Sequence, residues 1–315
     1  SEYRLYYPSP CVAMDHAKED DTVVIALKKD GSLLLITAER ASSAERGLIH
    51  LFGSAESAWS LTSEKDVQNT ATFDRRGILE KLGIFITQVS STNYLEAIEE
   101  NFGELSFPTT SEFSKLAREL APPLEDFSTA DEALVSFYET ETAMFYQLEE
   151  ALIFPKIQAG FLSTEDFFRY SKSWSNRRKA RAGTGLENHL EAIFRSRNLN
   201  FTREPRTEGK KKPDFIFPSI SSYHDTSFSP TLLHMVACKT SAKDRWRQIL
   251  SEAERISYKH LFTLESPISE NQTTEMQDAH VQLVVPSQSH PLFTENQKRN
   301  LWDLEALLEF LKSSQ

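Results

Sequence analysis

An acid, a lysine and a second acid lie between residues 213 and 252 in a pattern suited to metal-assisted hydrolysis of a phosphodiester. Pro213-Asp214 opens the short apolar run Phe215-Ile216-Phe217. Ala237-Cys238-Lys239 closes a second run, and Glu252 follows within a helical pattern. Carboxylates of this kind hold Mg²⁺ against a non-bridging phosphate oxygen, while an ammonium orients the attacking water and offsets developing negative charge. Taken alone, a Pro-Asp pair is usually a turn, and an acid with a later lysine is common. The chemistry therefore depends on elements that bring the three side chains together.

Strand alternation supplies part of that placement. Leu233, Met235, Ala237 and Lys239 share one face of their strand, and His234, Val236 and Cys238 share the other. Asp214 shares a face with Ile216, opposite Phe215 and Phe217. Asp214 and Lys239 both stand at strand ends, where a polar head avoids burial. Trp246, Ile249, Leu250, Ala253 and Ile256 recur at helical spacing. They predict a helix over 244–257 with Asp244 as N-cap and Glu252 beside the apolar stripe, leaning toward the strand ends.

Composition first argues against a nucleic-acid partner, because the net charge is −11 over 315 residues. The distribution reverses that argument. Residues 169–212 hold thirteen Lys or Arg against four acids, a local charge of +9, which leaves −20 for the remainder. A basic stripe on an acidic body suits a DNA groove with a solvated exterior and predicts strong salt dependence. Arg177, Arg178, Lys179 and Arg181 form its densest part and are expected to meet the DNA backbone. They precede Gly183-Thr184-Gly185, which predicts a helix end. The alternative is an ordinary solvated charge cluster.

The two cysteines, Cys11 and Cys238, stand far apart and predict no disulfide framework, as in a reducing cytoplasm. No Cys/His spacing suggests zinc. His189 and His224 flank the acids in sequence and are taken as structural. No apolar run is long enough for a membrane span, and no signal-peptide pattern opens the chain.

The strings Ser175–Gly183, Leu186–Glu191, Thr207–Ser219, Tyr223–Thr226, Lys239–Leu250, His260–Leu264 and Leu283–Ser287 resemble the catalytic domain of EcoRII/PspGI-like Type II restriction endonucleases. The resemblance runs in order over roughly residues 130–315. It implies a PD-(D/E)xK fold in which the second acid has migrated from beside the lysine to the following helix, so that Cys238 occupies the usual acid position. Asp214 and Glu252 then correspond to Mg²⁺-binding acids, Lys239 to the catalytic lysine and Glu187 to a further active-site acid. Lys243, Asp244 and Arg245 correspond to the segment that reads CC/GG bases. Arg and Lys suit guanine O6 and N7, and Asp suits cytosine N4. Without the resemblance those three residues read as a solvated first helical turn.

The expected fold class is α/β: a restriction-endonuclease-like core with a mixed central sheet flanked by helices, plus an N-terminal α+β domain. Ala121-Pro122-Pro123 marks the boundary, giving an accessory domain over 1–125 and a catalytic and DNA-recognition domain over 126–315. Leu134, Phe137, Tyr138, Glu141, Met144, Phe145, Leu148 and Leu152 fall near one helical face. A helix over 184–196, strands near 213–217, 232–238, 260–264 and 281–285, and a last helix near 297–311 follow. In the accessory part, 22–27 and 32–37 predict a hairpin about Asp30-Gly31, and Ile78, Leu79, Leu82 and Ile84 a helix. Tyr3, Arg4, Tyr6 and Tyr7 could touch DNA, although packing on an edge strand is the simpler role.

The resemblance further implies a homodimer on double-stranded DNA, paired functionally with a cognate DNA methyltransferase. The site would be a palindrome with a CC/GG core around a central base, as in CCWGG, CCNGG or a longer TCCNGGA. Cutting would leave 5′ overhangs, with the central nucleotides flipped from the stack. Trp174 and Tyr138 are the aromatic candidates for a flipped-base pocket, against ordinary core packing. Two other classes remain open at this point: an effector-controlled nuclease acting on two sites, and a catalytically silent DNA-binding regulator.

Overall fold

The computed structural model describes residues 6–7, 9–27, 31–53, 92–242 and 245–315. Tyr3, Arg4, Asp30, the pattern at 78–84, and Lys243 and Asp244 lie outside the described residues. The expected hairpin is present. Strand β1 (Thr22–Leu27) pairs antiparallel with β2 (Leu33–Ala38) from Thr22↔Ala38 to Leu27↔Leu33. Gly31 closes it at φ 81°, a left-handed conformation that suits glycine. Tyr6 and Tyr7 belong to no strand edge: they precede the hairpin and are exposed.

Helix α1 (Ser43–Phe52) carries the hairpin onto the C-terminal part of the chain. Its Leu51 joins the apolar cluster of Met235, Trp246 and Leu283, and Arg46 Nε donates to the Leu292 carbonyl at 3.3 Å. Helices α2 (Tyr94–Phe102) and α3 (Thr110–Leu120) follow, the latter started by a Thr109/Glu112 capping box. Ile98, Phe113, Leu116 and Ala117 bury themselves against Met144, Phe145 and Leu148. Packing therefore runs across Pro122-Pro123.

Two long helices come next, α4 (Ala130–Ala159) and α5 (Thr164–Ser196), capped by Thr129 and Ser163. The expected stop at Gly183-Thr184-Gly185 does not occur; the helix runs straight through. The reason is tertiary. A Cβ at Gly185 would lie 2.5 Å from Glu141 Oε1 on α4, so glycine here permits close helix approach rather than chain reversal.

The central sheet has the order β3-β4-β5-β6-β7. Its strands are β3 (Thr202–Arg203), β4 (Phe215–Phe217), β5 (His234–Lys239), β6 (Lys259–Thr263) and β7 (Val281–Val284). The first three are antiparallel and the last three parallel, a mixed sheet as expected. Alternation sorts its two faces as the sequence predicts. Ile216, Met235, Ala237 and Leu283 pack with Trp246 and with Met276 of α6 (Glu270–Asp278). Phe215, Phe217, Val236 and Cys238 pack with Leu186, Leu190 and Phe194 of α5. The expected single helix near 297–311 is two: α7 (Glu295–Lys298) and α8 (Leu304–Ser313), the latter capped by Asp303. Leu304, Leu307, Leu308 and Leu311 complete the second face. Among the described residues no helix is long and apolar enough to cross a membrane.

Candidate active site

Asp214 and Lys239 meet at the ends of β4 and β5. Lys239 Nζ donates to Asp214 Oδ2 at 3.0 Å, and the Cys238 backbone N–H donates to the same oxygen at 2.7 Å. Antiparallel pairing of Phe215 with Val236 sets this meeting, because it brings the residue before β4 beside the last residues of β5. Burial acts to lower the Lys239 pKa, but the charge and hydrogen bond of Asp214, with the charge of Glu252, outweigh it and the net shift is upward. The ammonium is thus held charged. Cys238 behaves oppositely: burial, with Asp214 and Glu187 nearby, pushes its thiol well up, so it offers a backbone donor and not a thiolate.

Glu252 reaches the site by another route than expected. Among the described residues no α-helix covers 245–257; a 3₁₀ turn covers Trp246–Ser251, and Glu252 follows it in extended conformation. Ala253 then takes φ 48°, which ends any helix. The carbonyls of Ala253 and Ile256 bond instead to the buried Lys259 ammonium. A side-chain cation here replaces the helical ladder, and periodicity cannot register that. Trp246, Ile249, Ala253 and Ile256 are nonetheless buried, while Leu250 is exposed.

Burial raises the Glu252 carboxyl; Lys239 counters this and Asp214 adds to it. Its Oε2 is buried with no hydrogen-bond partner among the described residues. Glu187, on α5, is likewise raised by burial and by the Asp214 charge. Arg203 of β3 holds it at 3.1 Å and also bonds Glu191 at 2.7 Å and Asn188 Oδ1 at 2.6 Å. Two carboxyls strained toward neutrality around a third, one with an orphaned oxygen, fit a site for a divalent cation. Among the described residues no three His, Cys, Asp or Glu side chains converge into a ready cage.

The basic stripe is less open than its composition implies. Among the described residues, seven of its thirteen cations are in ion pairs: Arg169, Arg178, Arg181, Arg195, Arg197, Arg203 and Lys211. Arg181, expected on the DNA backbone, is withdrawn. Its side chain is 10% exposed and lies 3.3 Å from Glu141. Arg178 makes a bidentate pair with Glu149. Both acids lie on α4, and their approach to α5 is what sequence could not show. Lys179 is exposed with no ion-pair partner among the described residues, and Arg177 stacks over Phe107 and Trp174 at 4.8 and 5.3 Å.

The aromatic candidates divide. Tyr138 is buried with Leu186 and Leu190, so it is core packing and not a pocket wall. Trp174 is half-buried against Phe107 and Tyr170. Arg245 is exposed at the start of the 3₁₀ turn. Sequence reasoning passed over Arg203, Lys259, Thr263 and Glu265, none of which has a local signal. His189 is fully buried 3.0 Å from Glu141, and His224 Nε2 lies 3.2 Å from the Arg206 carbonyl.

The family described as EcoRII C terminal matches residues 145–308. The Type II restriction enzyme EcoRII of Escherichia coli is 40% identical over 228 residues, 72% of this chain and 56% of that protein. This chain thus spans about half the length of that relative. Metal-depleted Ecl18kI in complex with uncleaved, modified DNA superposes with TM-score 0.55 at 17% identity, over 72% of this chain and 85% of that one. The restriction endonuclease PspGI–substrate DNA complex superposes with TM-score 0.54 at 14% identity, over 73% and 97%. These two structures establish the fold as that of restriction endonucleases.

Proposed function

Because the chain belongs to the EcoRII C-terminal family, we propose that it is a Type II restriction endonuclease making Mg²⁺-dependent double-strand cuts in DNA. The observation that carries the reading is the Asp214–Lys239 contact at adjoining strand ends. Asp214 and Glu252 would hold the ion, which would supply charge against the phosphate and activate water. Lys239, kept charged by Asp214, orients the attacking water and stabilises the phosphorane-like charge. Glu187, steadied by Arg203, adds a further carboxylate. Arg245, with Lys243 and Asp244, reads base edges, while Arg177 and Lys179 meet phosphates.

A palindromic site with a CC/GG core calls for a homodimer, one centre per strand. The reading extends to CCWGG, CCNGG or TCCNGGA as the site, 5′ overhangs, a cognate methyltransferase as functional partner and action in the cytoplasm. Residues 1–125 would form an accessory part. The decisive experiment digests a genome with and without Mg²⁺ and sequences the ends. A single palindrome with a fixed cut position supports the proposal, and intact DNA under all metal conditions sinks it.

Arg245→Ala is expected to lose roughly 1–3 kcal/mol of discrimination at one G·C position. Lys179→Ala should instead weaken binding to all duplexes and flatten the salt dependence. Affinities on cognate and single-mismatch duplexes over a salt series separate the two; equal losses on every duplex would move Arg245 to the phosphate contacts.

Base flipping is the remaining part of the reading. Two CC/GG halves separated by one pair fit the geometry of a continuous site only if that pair leaves the stack, at a cost of a few kcal/mol. A central 2-aminopurine should brighten strongly when cognate duplex binds in Ca²⁺. Unchanged fluorescence with confirmed specific binding would show that the base stays stacked.

A further inference from the structure

The backbone that leads from Lys239 to Arg245 is held by a buried carboxylate that plays no part in the chemistry above. Glu265 lies two residues past the end of β6 and is buried. Its Oε2 accepts the Ala242 N–H at 2.6 Å and the Ser241 hydroxyl at 3.2 Å. The Ala242 carbonyl in turn accepts the N–H groups of Arg245 and Trp246, each at 3.0 Å. Ala242 and Trp246 are buried and Arg245 is exposed. Ala242 is therefore fixed through both its N–H and its carbonyl, and the Arg245 backbone is bonded to it.

Thr263, two residues before Glu265, holds the other end of the same stretch. Its hydroxyl donates to the Lys239 carbonyl at 2.5 Å and accepts the Glu265 N–H at 3.1 Å. The segment 263–265 thus fastens the backbone of the catalytic lysine and the base of the Arg245 turn to one strand end. Burying a carboxylate is costly unless its hydrogen bonds repay the lost hydration. The return is a charge-assisted bond roughly twice as strong as a neutral one. Such rigidity matters where a bidentate contact to a base edge fails on a displacement of about 1 Å.

We propose that Glu265 is a positioning residue for sequence discrimination: it sets the place of Arg245 relative to Lys239 without touching DNA. The proposal rests on the reading of Arg245 as a base contact. The test compares Glu265→Gln, Arg245→Ala and the double variant, using cleavage rates on cognate and single-mismatch duplexes. Glu265→Gln should lower the cognate-to-mismatch ratio roughly tenfold at the pair that Arg245 reads. In the Arg245→Ala background the same change should leave the ratio within about twofold, because two residues acting as one unit are not additive.

A purely structural role would slow all duplexes alike or act equally in both backgrounds, and either result overturns the proposal. If Arg245→Ala itself leaves discrimination intact, the reading of Arg245 fails and the proposal with it. If Arg245→Ala loses discrimination and Glu265→Gln does not, only Glu265 is overturned. Ser241→Ala removes one bond to the same carboxylate on an exposed residue. Should Glu265→Gln not fold, Ser241→Ala reads the effect in the same direction at about two- to threefold, and no change overturns the proposal.

Discussion

Lys239→Ala and Asp214→Asn are each expected to lower the cleavage rate by at least about 10³-fold while leaving specific DNA binding measurable. The Lys239 ammonium is the one cation bonded to Asp214 Oδ2 among the described residues. Without it, the ammonium expected to offset charge growing on the phosphate is lost. Asp214→Asn is the cleaner of the two changes. An amide oxygen still accepts the Cys238 N–H, so the strand junction survives and only the charge is lost. It has a second expected consequence. With one fewer carboxylate beside Glu187 and Glu252, metal-free binding of the polyanion should tighten. Single-turnover cleavage in Mg²⁺, paired with binding measured in Ca²⁺ and in chelator, checks both. A Lys239→Ala protein that cuts near the wild-type rate would remove this pair from the chemistry.

Glu141→Ala is expected to cost on the order of 3–5 kcal/mol of stability, because it strands buried charge. Glu141 is fully buried between Arg181 and His189, at 3.3 and 3.0 Å. Burial alone would raise its pKa, yet His189 and Arg181 prevail and it is held below the usual range. Burial, with the guanidiniums of Arg118 and Arg181, pushes His189 downward against the hydrogen bond and charge of Glu141. Arg181 is the guanidinium paired with Glu141. Its removal leaves a nearly buried guanidinium facing an empty site. Gly185→Ala should also destabilise, since the new methyl meets Glu141 Oε1, and that penalty should shrink in the Glu141→Ala background. Urea denaturation of the four proteins tests the cycle. A loss under about 1 kcal/mol for Glu141→Ala would show that Arg181 finds water or another partner.

The same residues show how far a linear reading reaches. Alternation along 233–239 and 214–217 sorted the side chains onto two sheet faces, and the structure keeps that sorting. Asp214 and Lys239 were legible because each flanks an apolar run, and a charged residue there stands at a strand end, where it can leave the core. Glu252 was legible as an acid but not as a place: its predicted helix dissolves into a 3₁₀ turn and a loop tied by Lys259 at the start of the strand that follows. Arg178 and Arg181 counted as free cations in the sequence, and α4 took them with Glu149 and Glu141. Gly183-Thr184-Gly185 signalled an end, and packing against Glu141 made it the middle of a helix.

The sequence by itself determined what depends on neighbours along the chain: strand faces, the hairpin turn at Gly31 and the chemical identity of the acid–lysine trio. Only the tertiary structure decided which charges remain available and what holds them. Arg203 on Glu187 and Glu265 on Ala242 each join residues from separate elements. The physical reason is that propensity and periodicity are short-range quantities. The desolvation of a charge, and the partner that makes it tolerable, are set by whatever the fold brings within a few ångströms.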